Sequence, residues 1–293
     1  MKIDCVFSGG GVKAFAFIGA LEAIEHRGLE IERTAGTSAG AIISALITAG
    51  YSNQELKEIM EDFPLEQLLD PPTFSKIPFL KWILFYFQKG LYKGDRFEKW
   101  IATILAHKGL YTFADVKKQA LKVIVSDISQ GKLVVIPDDL KRLYGMDPEG
   151  FSIATAVRIS AGFPYFFMPK KLRDPSHQER YVVDGGLLSN FPLWVFREKN
   201  KDRRPVLGVT LSEDIENTKA YPIKNAFDML QALFRTMQKA HDSRFIATSK
   251  EPHIIFLPVK DVQTTDISIS TTKKQELMTL GREKAATFLA HWP

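Results

Sequence analysis

Short apolar runs alternate with longer amphipathic stretches along the chain. Ile3–Phe7, Ile31–Thr34, Leu121–Val125, Leu133–Ile136, Tyr181–Asp184, Pro205–Leu211 and Ile254–Val259 are short and rich in β-branched or aromatic residues, all but Ile31–Thr34 mostly apolar, and they read as strands. Between them, apolar residues recur at helical spacing. The first case is Ala14, Phe15, Phe17, Ile18, Leu21 and Ile24, followed by Ala39–Ala49, Phe97–Ala106, Lys224–Ala247 and Lys273–Ala290. Strands interleaved with helices predict an α/β sandwich with a largely parallel central sheet. Polar, turn-rich stretches at Pro137–Gly150, Arg173–Glu179 and Asp261–Thr272 read as the least ordered connections. No Ser/Gly/Pro-rich break or repeat divides the chain, so residues 1–293 are expected to form one domain, and a 45% hydrophobic content is enough for a large core.

The sharpest chemical signal is Gly36-Thr37-Ser38-Ala39-Gly40, between a predicted strand and a predicted helix. Glycine two positions to either side lets the chain turn sharply while a strained serine holds its hydroxyl outward, the pattern of a nucleophile elbow. The plainer reading is a tight turn in which Ser38 caps the next helix.

Upstream, Ser8-Gly9-Gly10-Gly11-Val12-Lys13-Ala14 joins the first strand to the first helix. Glycines there leave N–H groups uncovered at a helix start, a ready site for an anion such as the oxygen of a tetrahedral intermediate. Lys13 either supports this loop or is simply solvated. Gly9-x-Gly11-x-x-Ala14 also fits a dinucleotide fingerprint, with Glu30 and Glu32 near the distance of its acidic residue. Against that, the second strand ends in the elbow.

A serine nucleophile needs a base. Tyr181-Val182-Val183 runs into Asp184-Gly185-Gly186, which is either a common turn or the site of a catalytic carboxylate. None of the six histidines, His26, His107, His177, His241, His253 and His291, has a motif-like setting. His177, seven residues before Asp184, is the best candidate for a third member.

Taken in order, Gly9-Gly10-Gly11-Val12-Lys13, Gly36-Thr37-Ser38-Ala39-Gly40 and Asp184-Gly185-Gly186 resemble the patatin-like phospholipases. Val125–Gly131 and Val157–Pro164 agree in flavour, so the likeness spans roughly residues 3–192. The family's loop usually has Gly where this chain has Ala14, a small residue that still permits close packing. The resemblance implies a three-layer α/β/α sandwich of patatin type. It also implies a Ser–Asp dyad, with Ser38 as nucleophile, Asp184 as base, and Gly9, Gly10 and Gly11 as the oxyanion hole. The expected activity is that of a serine lipid acyl hydrolase of phospholipase A or lysophospholipase type, with no cofactor and no metal. Two alternatives stay open: a His-assisted carboxylesterase on small soluble esters, and a non-catalytic dinucleotide- or ligand-binding module.

The remaining composition narrows the setting. Cys5, the single cysteine, lies within the first strand and allows no disulfide inside one chain. The chain starts directly on a strand, so no signal peptide is read, and no apolar run is long enough to span a bilayer. A cytoplasmic protein, peripheral at membranes if it meets them, is the expectation. A net charge of +5 from scattered lysines and arginines is no signature of nucleic-acid binding, and it suits contact with an anionic lipid surface as well as general solubility. Residues 77–87 carry nine apolar side chains other than proline in eleven positions, with Lys76, Lys81, Lys89 and Lys93 around them. Such a segment is either a buried helix or an interfacial wedge led by Trp82, Phe85 and Tyr86.

Overall fold

The computed structural model describes residues 1–71, 89–196, 204–211, 223–224, 253–259 and 269–292, with 228–230, 232–234, 236–238 and 240. Among them the strands are β1 (Lys2–Phe7), β2 (Glu30–Thr37), β3 (Gly90–Tyr92), β4 (Leu121–Asp127), β5 (Lys132–Ile136), β6 (Tyr165–Phe167), β7 (Lys170–Arg173), β8 (Glu179–Asp184), β9 (Val206–Thr210) and β10 (Ile254–Phe256). The helices are α1 (Phe15–His26), α2 (Ala39–Thr48), α3 (Asn53–Glu61), α4 (Leu65–Leu68), α5 (Asp95–Ala106), α6 (Leu140–Tyr144), α7 (Ile153–Ser160) and α8 (Thr271–Leu289). Several begin on a side-chain cap. Ser52 and Glu55 form a capping box at α3, and Ser152 and Ser270 accept an N–H at the starts of α7 and α8.

The main sheet has the order β10-β9-β1-β2-β4-β8-β7, with β5 also paired to β4. The pairs from β10 through β4 are parallel, while β5, β8 and β7 join antiparallel. This is the expected α/β arrangement with a mostly parallel central sheet. Alternation along β1 separates two apolar clusters. Ile3, Cys5 and Phe7 enter the larger core with α1, α2 and α8, whereas Val6 joins Ala35, Phe191, Leu193, Phe196 and Ile254.

The register around β4 positions the site. β5 occupies one edge of β4 from Val123 to Asp127, so β2 and β8 must share the other. β2 runs along that edge in parallel as far as Thr37 opposite Ile124. β8 arrives antiparallel from the far end and stops with Asp184 opposite Val125. Two strands therefore meet tip to tip at Ile124 and Val125. Ser38 is the first residue beyond one tip, and Asp184 is the last residue of the other.

Some local expectations are revised. Arg173–Glu179 is an ordered hairpin rather than a loose loop: Arg173 pairs with Glu179, and the Asp174 carboxylate takes the N–H groups of Ser176 and Gln178 and the guanidinium of Arg180. Pro137–Gly150 contains α6. The short strands β3, β6 and β7 carry too few residues for a periodicity to show. The proposed wedge residues Trp82, Phe85 and Tyr86 lie outside the described residues.

Candidate active site

Ser38 holds φ 54° and ψ −123°, a backbone conformation costing an L-residue roughly 1–3 kcal/mol. The surrounding backbone imposes it. A Cβ on Gly36 would fall on the Gly40 carbonyl, and a Cβ on Gly40 would fall on the Phe7 carbonyl. Strand, turn and helix thus press together with no room for a side chain. The Ser38 N–H donates to Ser160 Oγ at 3.0 Å, and its carbonyl receives the Ala41 N–H at 2.9 Å.

Asp184 is buried at the opposite tip. Its Oδ1 receives the Gly186 N–H at 2.7 Å, and the Ser38 hydroxyl lies near enough to act on the carboxyl. Its own N–H donates to the Gly162 carbonyl at 3.1 Å. Burial raises its pKa strongly, and the Gly186 N–H and the nearby Ser38 hydroxyl only partly oppose this, so the acid is pushed up to about 7.

The glycine loop is tied on one side to β9 and on the other to the turn after β8. Ser8 Oγ receives the Leu211 N–H at 3.0 Å and donates to the Gly9 carbonyl at 3.1 Å. The Gly9 N–H donates to the Asn190 carbonyl at 3.0 Å, so Gly9 differs from the expectation that all three glycines offer free donors. Among the described residues no acceptor takes the N–H of Gly10 or Gly11. The Lys13 N–H closes the loop on the Gly10 carbonyl at 3.2 Å. Gly11 has φ +55°, a conformation suited to glycine, whereas Gly10 at φ 168° is extended.

His177 does not join this cluster. It is exposed at the β7–β8 turn, and Asp184 ends β8, seven residues on, on the order of 20 Å away by strand rise. His26 and His107 are exposed at helix ends and His291 near the C-terminus. His253 Nδ1 receives the Trp292 indole at 2.7 Å. His241 lies outside the described residues. Glu30 and Glu32 sit at the start of β2, where Lys2 pairs with both. A dinucleotide site would need its acid at the other end of that strand. Among the described residues no three His, Cys, Asp or Glu side chains group as a metal site, and no helix is long and apolar enough to cross a membrane.

Three neighbours escaped the sequence reading. Ser160 touches the elbow, and the Asn190 amide packs against Gly9. Gln238 Nε2 donates to Asn190 Oδ1 at 3.4 Å, and both reach over Gly186. Ser160 lies in the Val157–Pro164 stretch and Asn190 six residues beyond Asp184, so nearness to known motifs was their only signal. Gln238 had none.

Comparison with known proteins bears on the same region. The family model for patatin-like phospholipase matches residues 5–197. The uncharacterized protein YqhO of Bacillus subtilis (strain 168) is 47% identical over 293 residues, covering 100% of this chain and 99% of its own. The probable lipid hydrolase 463L of Invertebrate iridescent virus 6 is 22% identical over 211 residues, covering 68% and 66% of the two chains. In fold, the chain resembles VipD from Legionella pneumophila, with TM-score 0.59, 17% identity, and coverage of 98% of this chain and 66% of VipD. It also resembles the type III effector ExoU, with TM-score 0.51, 18% identity, and coverage of 99% of this chain and 53% of ExoU. With the family model spanning from the first strand past the Asp184 turn, and a near full-length relative at 47% identity, this chain belongs to the patatin-like phospholipase family and is a hydrolase.

Proposed function

We propose that this protein is a serine lipid acyl hydrolase that cleaves carboxylic esters of phospholipids or related lipids through a Ser38–Asp184 dyad. The observation that carries the reading is Ser38, held at a strained elbow one residue beyond the tip of β2, beside the buried carboxyl of Asp184 at the tip of β8, whose pKa is pushed up to about 7. A base works best when its pKa lies near the working pH. An ordinary aspartate, near 3.9, would be too weak.

In the proposed reaction Asp184 takes the Ser38 proton as Oγ attacks the ester carbonyl. The N–H groups of Gly10 and Gly11 receive the developing oxyanion, with Gly9 holding the loop rather than donating. Collapse releases the alcohol, which takes the proton back from Asp184, and leaves an acyl group on Ser38. Water then attacks the acyl-enzyme with Asp184 again as base, and the fatty acid leaves. Water is the only co-substrate this balance requires.

Contact with an anionic membrane is the second part of the proposal. Met229, Leu233 and Met237 are exposed at helical spacing on a helical stretch whose adjacent face carries Phe234, packed on Phe163 at 4.8 Å, and Gln238 beside the Asp184 turn. An apolar stripe on the element that walls the site suits a protein drawing acyl chains from an aggregate. If so, replacing Met229 and Leu233 with Gln will reduce binding to anionic vesicles and leave hydrolysis of a short soluble ester unchanged.

A fluorophosphonate probe and a short ester test the dyad. Ser38→Ala and Asp184→Asn are expected to fall to near background, and the double variant to be scarcely worse than either. His177→Ala should keep more than about a tenth of the activity, short of the loss expected for a general base. Near wild-type turnover in Asp184→Asn would refute the dyad, and a collapse at His177 with the fold intact would favour the carboxylesterase reading.

A further inference from the structure

We infer that Ser160 is a positioning residue, and that Ser160 to Gly162 form a clamp setting the distance between the two dyad members. This rests on the dyad reading above. The turn at the end of α7 touches both tips of the strand junction. On one side Ser160 Oγ receives the Ser38 N–H at 3.0 Å, and on the other the Gly162 carbonyl receives the Asp184 N–H at 3.1 Å. Ser160 Oγ in turn donates to the Ile124 carbonyl at 2.6 Å, at the position on β4 where β2 and β8 meet. The hydroxyl is therefore used as both acceptor and donor, and Ser160 is fully buried.

The clamp has a task that packing alone does not perform. The peptide of Ser38 is held in a conformation it would not adopt freely, and its N–H points away from any partner within its own helix. Ser160 supplies that partner and ties it to the central strand. The same bond keeps the Ser38 N–H from turning toward a substrate oxygen, leaving the oxyanion to the glycine loop. The end of α7 that carries Ser160 is not free to drift. Arg158, buried, donates to the carbonyls of Gly94 at 3.1 Å and Met168 at 3.0 Å.

The test compares wild type with Ser160→Ala, Ser160→Cys and Ser160→Thr. It uses kinetics on a short soluble ester, the rate of fluorophosphonate labelling, the thermal midpoint, and hydrogen exchange at the Ser38 amide. Ser160→Ala is expected to lower kcat and labelling together by about 10–100-fold with KM within about threefold, because a small misplacement of the nucleophile acts on the transition state. The Ser38 amide should exchange faster, and Ser160→Thr, which keeps the hydroxyl, should recover most of the rate. Ser160→Cys, close in volume but a weaker acceptor, carries the same expectation as Ala if the Ala variant does not fold. The inference is overturned if folded Ala or Cys variants keep wild-type kcat and labelling. It is also overturned if loss merely follows the folded fraction, if Thr is as slow as Ala, or if Ser38 exchange is unchanged. Labelling of the wild type that is absent in Ser38→Ala tests the dyad separately. The exchange measurement reads the clamp without turnover, so the two failures are told apart.

Discussion

Two glycine-bearing turns face each other across the candidate site, and they use glycine for different reasons. In the elbow, Gly36 and Gly40 are in contact with backbone: the carbonyls of Gly40 and Phe7 occupy the places a Cβ would take. In the loop, Gly9 and Gly10 face side-chain atoms, the Asn190 amide and the tip of Leu211. Backbone at a strand junction cannot move without breaking the sheet, whereas a side chain can rotate. The elbow is thus a fixed part that holds a strained serine, and the loop is an adjustable part in which no acceptor among the described residues takes the N–H of Gly10 or Gly11. The fixed side is also the dry side, since the buried Asp184 lies against the elbow.

The largest expected effect breaks the fixed turn. Gly40→Ala places a methyl on the Phe7 carbonyl, with the Ser8 carbonyl only 2.6 Å away. A loss of about 4 kcal/mol or more is expected, in the range of exceptional single substitutions, read as loss of soluble folded protein or a steep fall in thermal midpoint. Normal stability in Gly40→Ala would show that the elbow is as adjustable as the loop.

A smaller effect, opposite in sign, comes from the dry carboxyl. The folded pKa of Asp184, about 7, lies above its unfolded value of about 3.9, so the folded state holds the proton longer. Stability contributed by this group is full at low pH and declines as pH rises from about 4 to about 7, after which the penalty is constant. Asp184→Asn removes the titration. It is expected to be more stable than wild type at pH 8 by roughly 2–4 kcal/mol, with the gap closing toward pH 4. Denaturant unfolding at the two pH values checks this, and an equal gap at both would place the carboxyl in water rather than in the dry pocket. Turnover of the wild type should rise with pH through about 7 as Asp184, the proposed base, ionises.

The smallest effect sharpens the other side. Gly10 has an extended φ, so Ala there adds no backbone strain and meets mainly the end of Leu211. Gly10→Ala should lower kcat several-fold to about a hundredfold with little change in thermal midpoint, because the altered contact matters chiefly in the transition state. Gly11→Ala, at φ +55°, should add a stability loss of about 1 kcal/mol or more. A pure KM effect in Gly10→Ala would argue against an oxyanion role for the loop.

Much of the site was legible because its parts obey local rules. A serine two residues from glycine on each side, between an apolar run and an apolar helix, has few uses other than an elbow, and β2 and α2 flank it as the pattern required. The alternation of strand and helix signals gave the α/β class for the same reason, since hydrophobic period is a local property. The short strands β3, β6 and β7 left no mark, because a few residues carry no period and take their conformation from a neighbour. His177 looked close to Asp184 in sequence, yet an extended strand lies between them.

The sequence by itself determined the elbow, the glycine loop, the Asp184 turn and the order in which they occur. Each depends on the conformational limits of a few adjacent residues. Only the tertiary structure decided that β2 and β8 end on the same edge of β4, so that residues 38 and 184 meet. It also decided that Gly9 gives its N–H to Asn190, that Ser160 fills the bonding needs of Ser38, and that burial raises the Asp184 pKa to about 7. Register, burial and hydrogen-bond partners depend on residues far apart in the chain, and no local pattern encodes which of them will be neighbours.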